Sequence, residues 1–261
     1  MEELLVVQNL DKYFGGLKAV NQVSFTIRQG DFFGLIGPNG AGKTTIFNLI
    51  SGFLRPSGGM IRYGGADVTH QPAHVIASHG LARTFQKINV FPDLTTLENV
   101  LTGRHLQTKA GFIGSLFQTG MWRKEEKRAK ERAIEILKSV GLSDWKHRQA
   151  KHLPFGSQRA LGIAVALATE PKLLLLDEPA SGMNSEDKKY IAELIRHIHD
   201  SGIAILLVEH DMNLVMSLCP HILVVDFGTM IAEGTPEEIQ KNEKVIEIYL
   251  GKGYQSVAKA D

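Results

Sequence analysis

The chain has 261 residues, 43% of them hydrophobic and 22% charged, a mixture that supports a sizeable buried core. Lys and Arg total 29 against 28 Asp and Glu, so no overall basic field points to nucleic acid. Cys219 is the single cysteine, which excludes an internal disulfide framework and a cysteine-rich zinc site, and no apolar run approaches the ~20 residues that span a bilayer.

Apolar, β-branched stretches at 4–7, 23–27 and 31–36, separated by turn-prone Gly and Asn, predict strands. A helix follows over 42–50, then a Gly/Pro/Ser turn over 52–59 and short strands at 60–63 and 82–85. From 97 to about 140 the pattern is helical, with Ile134, Leu137 and Val140 on one side and Gly141 as a C-cap. Six basic and three acidic residues in 123–132 read as a solvated face of that helical stretch. Beyond it come a strand at 172–177, a helix at 185–199 and a strand at 203–208. Strands at 221–226 and 230–232 and two short helices near Glu237 and Val245 close the chain. Continuous apolar strands alternating with helices predict an α/β fold with a mostly parallel sheet covered on both faces. The helical middle, roughly 88–165, reads as a lobe inserted into that core.

Gly37, Pro38, Asn39, Gly40, Ala41, Gly42, Lys43 and Thr44 fit G-x-x-x-x-G-K-[ST] at every required position. The motif stands after a predicted strand and before a predicted helix, where its mechanism needs it. Glycines let backbone N–H groups turn inward around phosphate oxygens, and the helix N-terminus adds its dipole. Lys43 is placed to reach the β- and γ-phosphates of ATP and Thr44 to ligate Mg²⁺. Downstream, the apolar run from Leu173 delivers Asp177 and Glu178 to the end of a buried strand. Asp177 there can help hold Mg²⁺ through water, and Glu178 can polarise the attacking water.

Read with their neighbours, these residues resemble the ABC ATPase family over nearly the whole chain. The resemblance implies a P-loop ABC ATPase core with an N-terminal antiparallel β part and an inserted helical lobe. It divides residues 1–251 into an ATP-binding core (1–87 and 166–251) and a helical subdomain (88–165), with a disordered tail over 252–261. It implies that Phe14 stacks on adenine, with Val20 and Thr45 in the nucleotide-binding set. Gln86 then matches the glutamine that touches Mg²⁺ and faces the membrane partner, and His210 the histidine that binds the γ-phosphate. Leu153, Pro154, Phe155, Gly156 and Ser157 occupy the signature position that faces a partner subunit's ATP, and Ser181, Gly182, Met183 and Asn184 the D-loop.

Within the family, the chain is most similar to ATPase subunits of branched-chain amino-acid importers. That similarity implies a second ATPase subunit, transmembrane permease subunits and, indirectly, a periplasmic solute-binding protein as partners, with no nucleic acid. The implied location is peripheral, on the cytoplasmic face of the inner membrane. One departure stands out. The family signature normally reads Leu-Ser-Gly-Gly-Gln or a close variant, whereas here Pro154 replaces the serine and Ser157 the glutamine. Ala160, Gly162 and Val165 also replace residues usually charged. Two other readings remain open: an ATP-binding partner of weak catalysis, and an ATPase serving a urea, amide or lipopolysaccharide system.

Overall fold

The computed structural model describes residues 2–86, 89–104 and 120–250, with side chains except at 120–123 and 250. The tail expected over 252–261 and part of the helical stretch expected over 97–140 therefore lie outside the described residues. The chain opens with β1 (Glu3–Phe14), β2 (Leu17–Arg28) and β3 (Phe32–Ile36), and α1 (Lys43–Ile50) follows. Next come β4 (Gly58–Tyr63), β5 (Ala66–Asp67), α2 (Ala73–Ser78), β6 (Leu81–Arg83) and α3 (Thr96–Gly103). After these stand α4 (Gly120–Ser139), α5 (Phe155–Leu167), β7 (Leu173–Asp177), α6 (Ser185–Asp200) and β8 (Ala204–Val208). The remaining elements are α7 (Met212–Leu218), β9 (His221–Asp226), β10 (Thr229–Gly234), α8 (Pro236–Lys241) and α9 (Glu243–Leu250).

The strands form an antiparallel sheet in the order β2-β1-β4-β5 and a second sheet in the order β10-β9-β3-β8-β7-β6. In the second sheet every neighbouring pair is parallel except the β9–β10 hairpin at the edge. All residues of β3, β7 and β8 are buried, as strands covered on both faces must be. Alternate side chains serve two cores. Leu174, Leu176, Ile205 and Leu207 pack with the helices α3 to α6. Leu173, Leu175, Leu206 and Val208 face the antiparallel sheet and α1.

Several elements differ from the sequence reading. β1 and β2 run 12 residues each, because polar residues at their ends extend the ladder without an apolar pattern. α2, β5 and α7 were not expected; each is too short to register a period. The strand expected at 82–85 forms at Leu81–Arg83 against β7. Within the helical stretch expected from 97 to 140, α3 ends at Gly103, where a Cβ would run into the Val165 carbonyl oxygen. α3 begins with a capping box in which Thr95 and Glu98 satisfy each other's backbone N–H.

The topology fixes where loops meet. Since β3, β8 and β7 are parallel neighbours, the chain leaves all three at one edge of the sheet. Their ends share a register: Leu35 and Asp177 both lie opposite Val208.

Candidate functional site

At that edge, β3 runs into the phosphate-type loop and α1. Gly42 adopts φ +100° and a Cβ there would lie 2.7 Å from the Ala19 carbonyl oxygen; one on Gly37 would run into the Val225 carbonyl. Only glycine lets the backbone wrap this tightly. The loop is braced by the two-residue β9–β10 turn, where Gly228 N–H donates to Ala41 O at 2.9 Å and its own carbonyl accepts from Asn21 N–H at 2.8 Å. Phe227 at that turn has φ +42° and Gly228 +74°, the left-handed pair that a two-residue hairpin turn requires.

A cleft of ≈ 550 Å³ opens over the loop, lined by Phe14, Leu17, Lys18, Ala19, residues 39–45, Gln86, Glu178, His210 and Phe227. Lys43 is buried and folds back, Nζ donating to Gly37 O at 2.6 Å and Pro38 O at 3.0 Å. Burial lowers its pKa, an effect that the Glu178 and Asp177 carboxylates oppose. Thr44 stands exposed in the first turn of α1. Phe14 is half exposed at the end of β1, with the Lys12 ammonium 5.1 Å from its ring centre.

Asp177 ends β7 and Glu178 follows it at φ +48°, its N–H donating to Val208 O at 2.9 Å. That bond to the neighbouring strand holds the residue in a conformation uncommon for non-glycine residues. Gln86 Nε2 donates to Glu178 Oε2 at 2.7 Å, and His210 Nε2 pairs with Glu178 Oε1. Glu209, buried beside them, accepts from Ala180 N–H at 2.7 Å and His210 N–H at 3.2 Å; burial raises its pKa. Thr44 and Gln86 line the cleft with oxygen donors, the hard ligands that Mg²⁺ takes. Asp177, at the end of β7 one residue before Glu178, adds a carboxylate but is not among the lining residues, and the chemistry of these donors fits that ion.

The structure therefore brings Phe14, Asn39 to Thr45, Gln86, Glu178 and His210 to one cleft. It places Val20 elsewhere: the side chain is fully buried in the core, and its neighbours Lys18 and Ala19 line the cleft instead. None of Leu153, Pro154, Phe155, Gly156 and Ser157 lines the cleft, and neither do Ser181, Gly182, Met183 and Asn184. Pro154 is the N-cap of α5, and the cap makes no side-chain hydrogen bond. Asn184 caps α6, accepting from Asp187 N–H at 2.8 Å. Leu17, Phe227, Glu209 and Arg83 were missed.

A second opening, a groove of ≈ 390 Å³, runs between the strip leading to Gln86 and α5; Phe53, Arg83, Phe85, Arg159, Gly162 and Val165 are among its walls. The Arg159 guanidinium donates to the Gln86 carbonyl and so links the groove to the cleft.

Comparison with known proteins places the chain in a family. Residues 20–181 match the family described as ABC transporter, and residues 229–255 match one described as branched-chain amino acid ATP-binding cassette transporter. The chain is 44% identical over 252 residues to the high-affinity branched-chain amino acid transport ATP-binding protein LivG of Salmonella typhimurium, covering 96% of this chain and 99% of that one. It is 42% identical over 250 residues to the corresponding protein BraF of Pseudomonas aeruginosa, covering 95% and 98%. Among solved structures it superposes on the ADP conformation of MJ1267, an ATP-binding cassette of an ABC transporter, with TM-score 0.84 and 33% identity over 97% of this chain and 100% of that one.

Proposed function

The chain belongs to the ABC transporter family, and from that premise we propose that it is the ATP-hydrolysing subunit of an importer of branched-chain amino acids. The observation that carries the enzymatic half is the convergence of the Lys43 loop, Glu178, Gln86 and His210 on one cleft at the sheet edge. The solute half is supported by the names of relatives such as LivG and BraF and by the match at residues 229–255.

ATP lies with its adenine against Phe14 and its phosphates in the loop from Gly37 to Thr45. Lys43 leaves the Gly37 and Pro38 carbonyls to donate to the β- and γ-phosphate oxygens. Thr44 and Gln86, with Asp177 through water, would hold Mg²⁺, which when bound would neutralise charge on those phosphates. Glu178, released by Gln86 and His210, polarises the water that attacks the γ-phosphorus in line. Lys43 and His210 stabilise the charge that spreads over the transferred group, an effect that grows when a partner subunit closes over the cleft and excludes water. A second ATPase subunit presents its signature to that γ-phosphate, while Gly156 N–H in the open first turn of α5 serves the partner's nucleotide.

The groove beside Gln86 receives the permease, and α5, part of the helical subdomain assigned to 88–165, forms its far wall. None of the helices among the described residues is long and apolar enough to cross a membrane. We place the subunit peripherally, on the cytoplasmic face of the inner membrane, held there by its permease. Pro154 and Ser157 favour a second reading, that of a partner with weak catalysis of its own. The test that separates the two is Glu178→Gln. The purified variant is expected to bind ATP normally, to lose turnover by ~10²-fold or more and to accumulate as a closed dimer. Normal turnover in the variant contradicts the role of Glu178.

A further inference from the structure

Arg83 lies in the wall of the groove and is not among the residues that line the cleft. Its Nη2 donates to Asp177 Oδ2 at 2.9 Å, with the two side chains only 6% and 8% exposed. Its Nη1 donates to Asn48 Oδ1 at 2.7 Å and Ser51 Oγ at 3.0 Å. Asn48 belongs to α1 and Ser51 is its C-cap, so the guanidinium spans from the helix that follows the phosphate loop to the end of β7. The rings of Phe47, Phe53 and Phe85 surround it, their centres 5.6, 5.7 and 5.1 Å from Cζ. The same side chain is part of the groove wall.

This arrangement is not the one that stability alone favours. A buried ion pair is often no better than well-packed apolar residues, and the Arg83 Nε finds no hydrogen-bond partner. What the fork supplies is orientation. Lysine offers one compact charge, whereas a planar guanidinium meets the carboxylate and α1 in two fixed directions while its faces stack on the rings.

We propose that Arg83 is a positioning residue that locks the Asp177 carboxylate to α1, so that Asp177 meets Mg²⁺ in one orientation beside Thr44. The proposal rests on the ATPase reading of Asp177 given above. Outer-sphere partners of metal ligands act in this way, and their loss costs ~10- to 100-fold in metal affinity.

The test is equilibrium binding of a non-hydrolysable ATP analogue to the full chain across free Mg²⁺ concentrations and in EDTA. Wild type is compared with Arg83→Met, Arg83→Lys and Asn48→Ala. Arg83→Met is expected to keep its affinity in EDTA while the Mg²⁺ concentration that half-saturates the tightening rises ~10-fold or more. Arg83→Lys and Asn48→Ala are expected to shift it in the same direction by less, since each keeps the charge and loosens the fork. An unchanged half-saturation in Arg83→Met overturns the proposal, as does an equal loss with and without Mg²⁺, which marks a merely structural residue. If Arg83→Met does not fold, Asn48→Ala decides: the smaller shift supports the proposal and no shift overturns it. A wild type that binds the analogue equally with and without Mg²⁺ overturns the reading of Asp177 itself, and this proposal with it.

Discussion

Lys43 enters the structure with its ammonium already engaged, bonded to the carbonyls of Gly37 and Pro38 and 6% exposed. A sequence motif assigns it to phosphate but does not show this resting state. We expect Lys43→Ala to weaken ATP binding ~10- to 100-fold, the range for losing one or two hydrogen bonds to a charged group. The fold should survive, because the ammonium is desolvated in the native protein and its removal offsets the two lost carbonyl contacts. Nucleotide titration and thermal melting of the variant check both halves; unchanged affinity contradicts the assignment. The residues that converge on the cleft were largely legible, because glycine spacing and carboxylates at a strand end are written locally. Val20 was not: a β-branched residue in a strand has no local mark that says core rather than cleft. Arg83 and Glu209 were not legible either, since each matters through residues far along the chain, Asp177 and Ala180 respectively.

Among the elements, the central buried strands announced themselves by continuous apolar runs, and β7, β8 and β9 formed within a residue of their expected bounds. Two turns of helix or two residues of strand carry too little pattern, so α2, α7 and β5 went unseen. One tie between the segment after β7 and that after β8 is Glu209, whose carboxylate accepts from both Ala180 and His210. Burial raises its pKa above the ordinary 4.5, so the folded protein binds this proton more tightly than the unfolded chain does. The stability it contributes is therefore full below 4.5 and is lost as pH rises through the raised value. Glu209→Gln has no proton to lose. The melting temperature of wild type relative to Glu209→Gln should fall as pH rises from about 4.5 toward neutrality. A difference that does not change with pH contradicts this account.

For the whole molecule, the informative fact is what the cleft leaves out. The signature segment at the start of α5 lines another part of the surface, and in the proposed dimer it would complete a partner's site. A homodimer would then set Pro154 and Ser157 opposite both phosphate loops, and we expect this chain alone to hydrolyse ATP slowly. A missing hydrogen bond to a charged group is worth ~1.5–3 kcal/mol, or ~10- to 100-fold in rate. Pro154→Ser with Ser157→Gln should raise the ATPase rate of the isolated chain at least several-fold, measured as phosphate release. No increase would mean that the departures are tolerated variation. The shared register of β3, β8 and β7 bears on how such a protein is able to change. Ile205 belongs to one core and Leu206 to the other, and exchanging either aliphatic side chain for another of like volume leaves the strand ends where they are. Deleting one residue from β8 draws its end back by ~3.3 Å and turns every later side chain to the opposite face. His210 would then recede from Glu178, and the backbone that receives the Glu178 N–H would be gone. Over time, the spelling of these three strands is free to drift while their letter count is not.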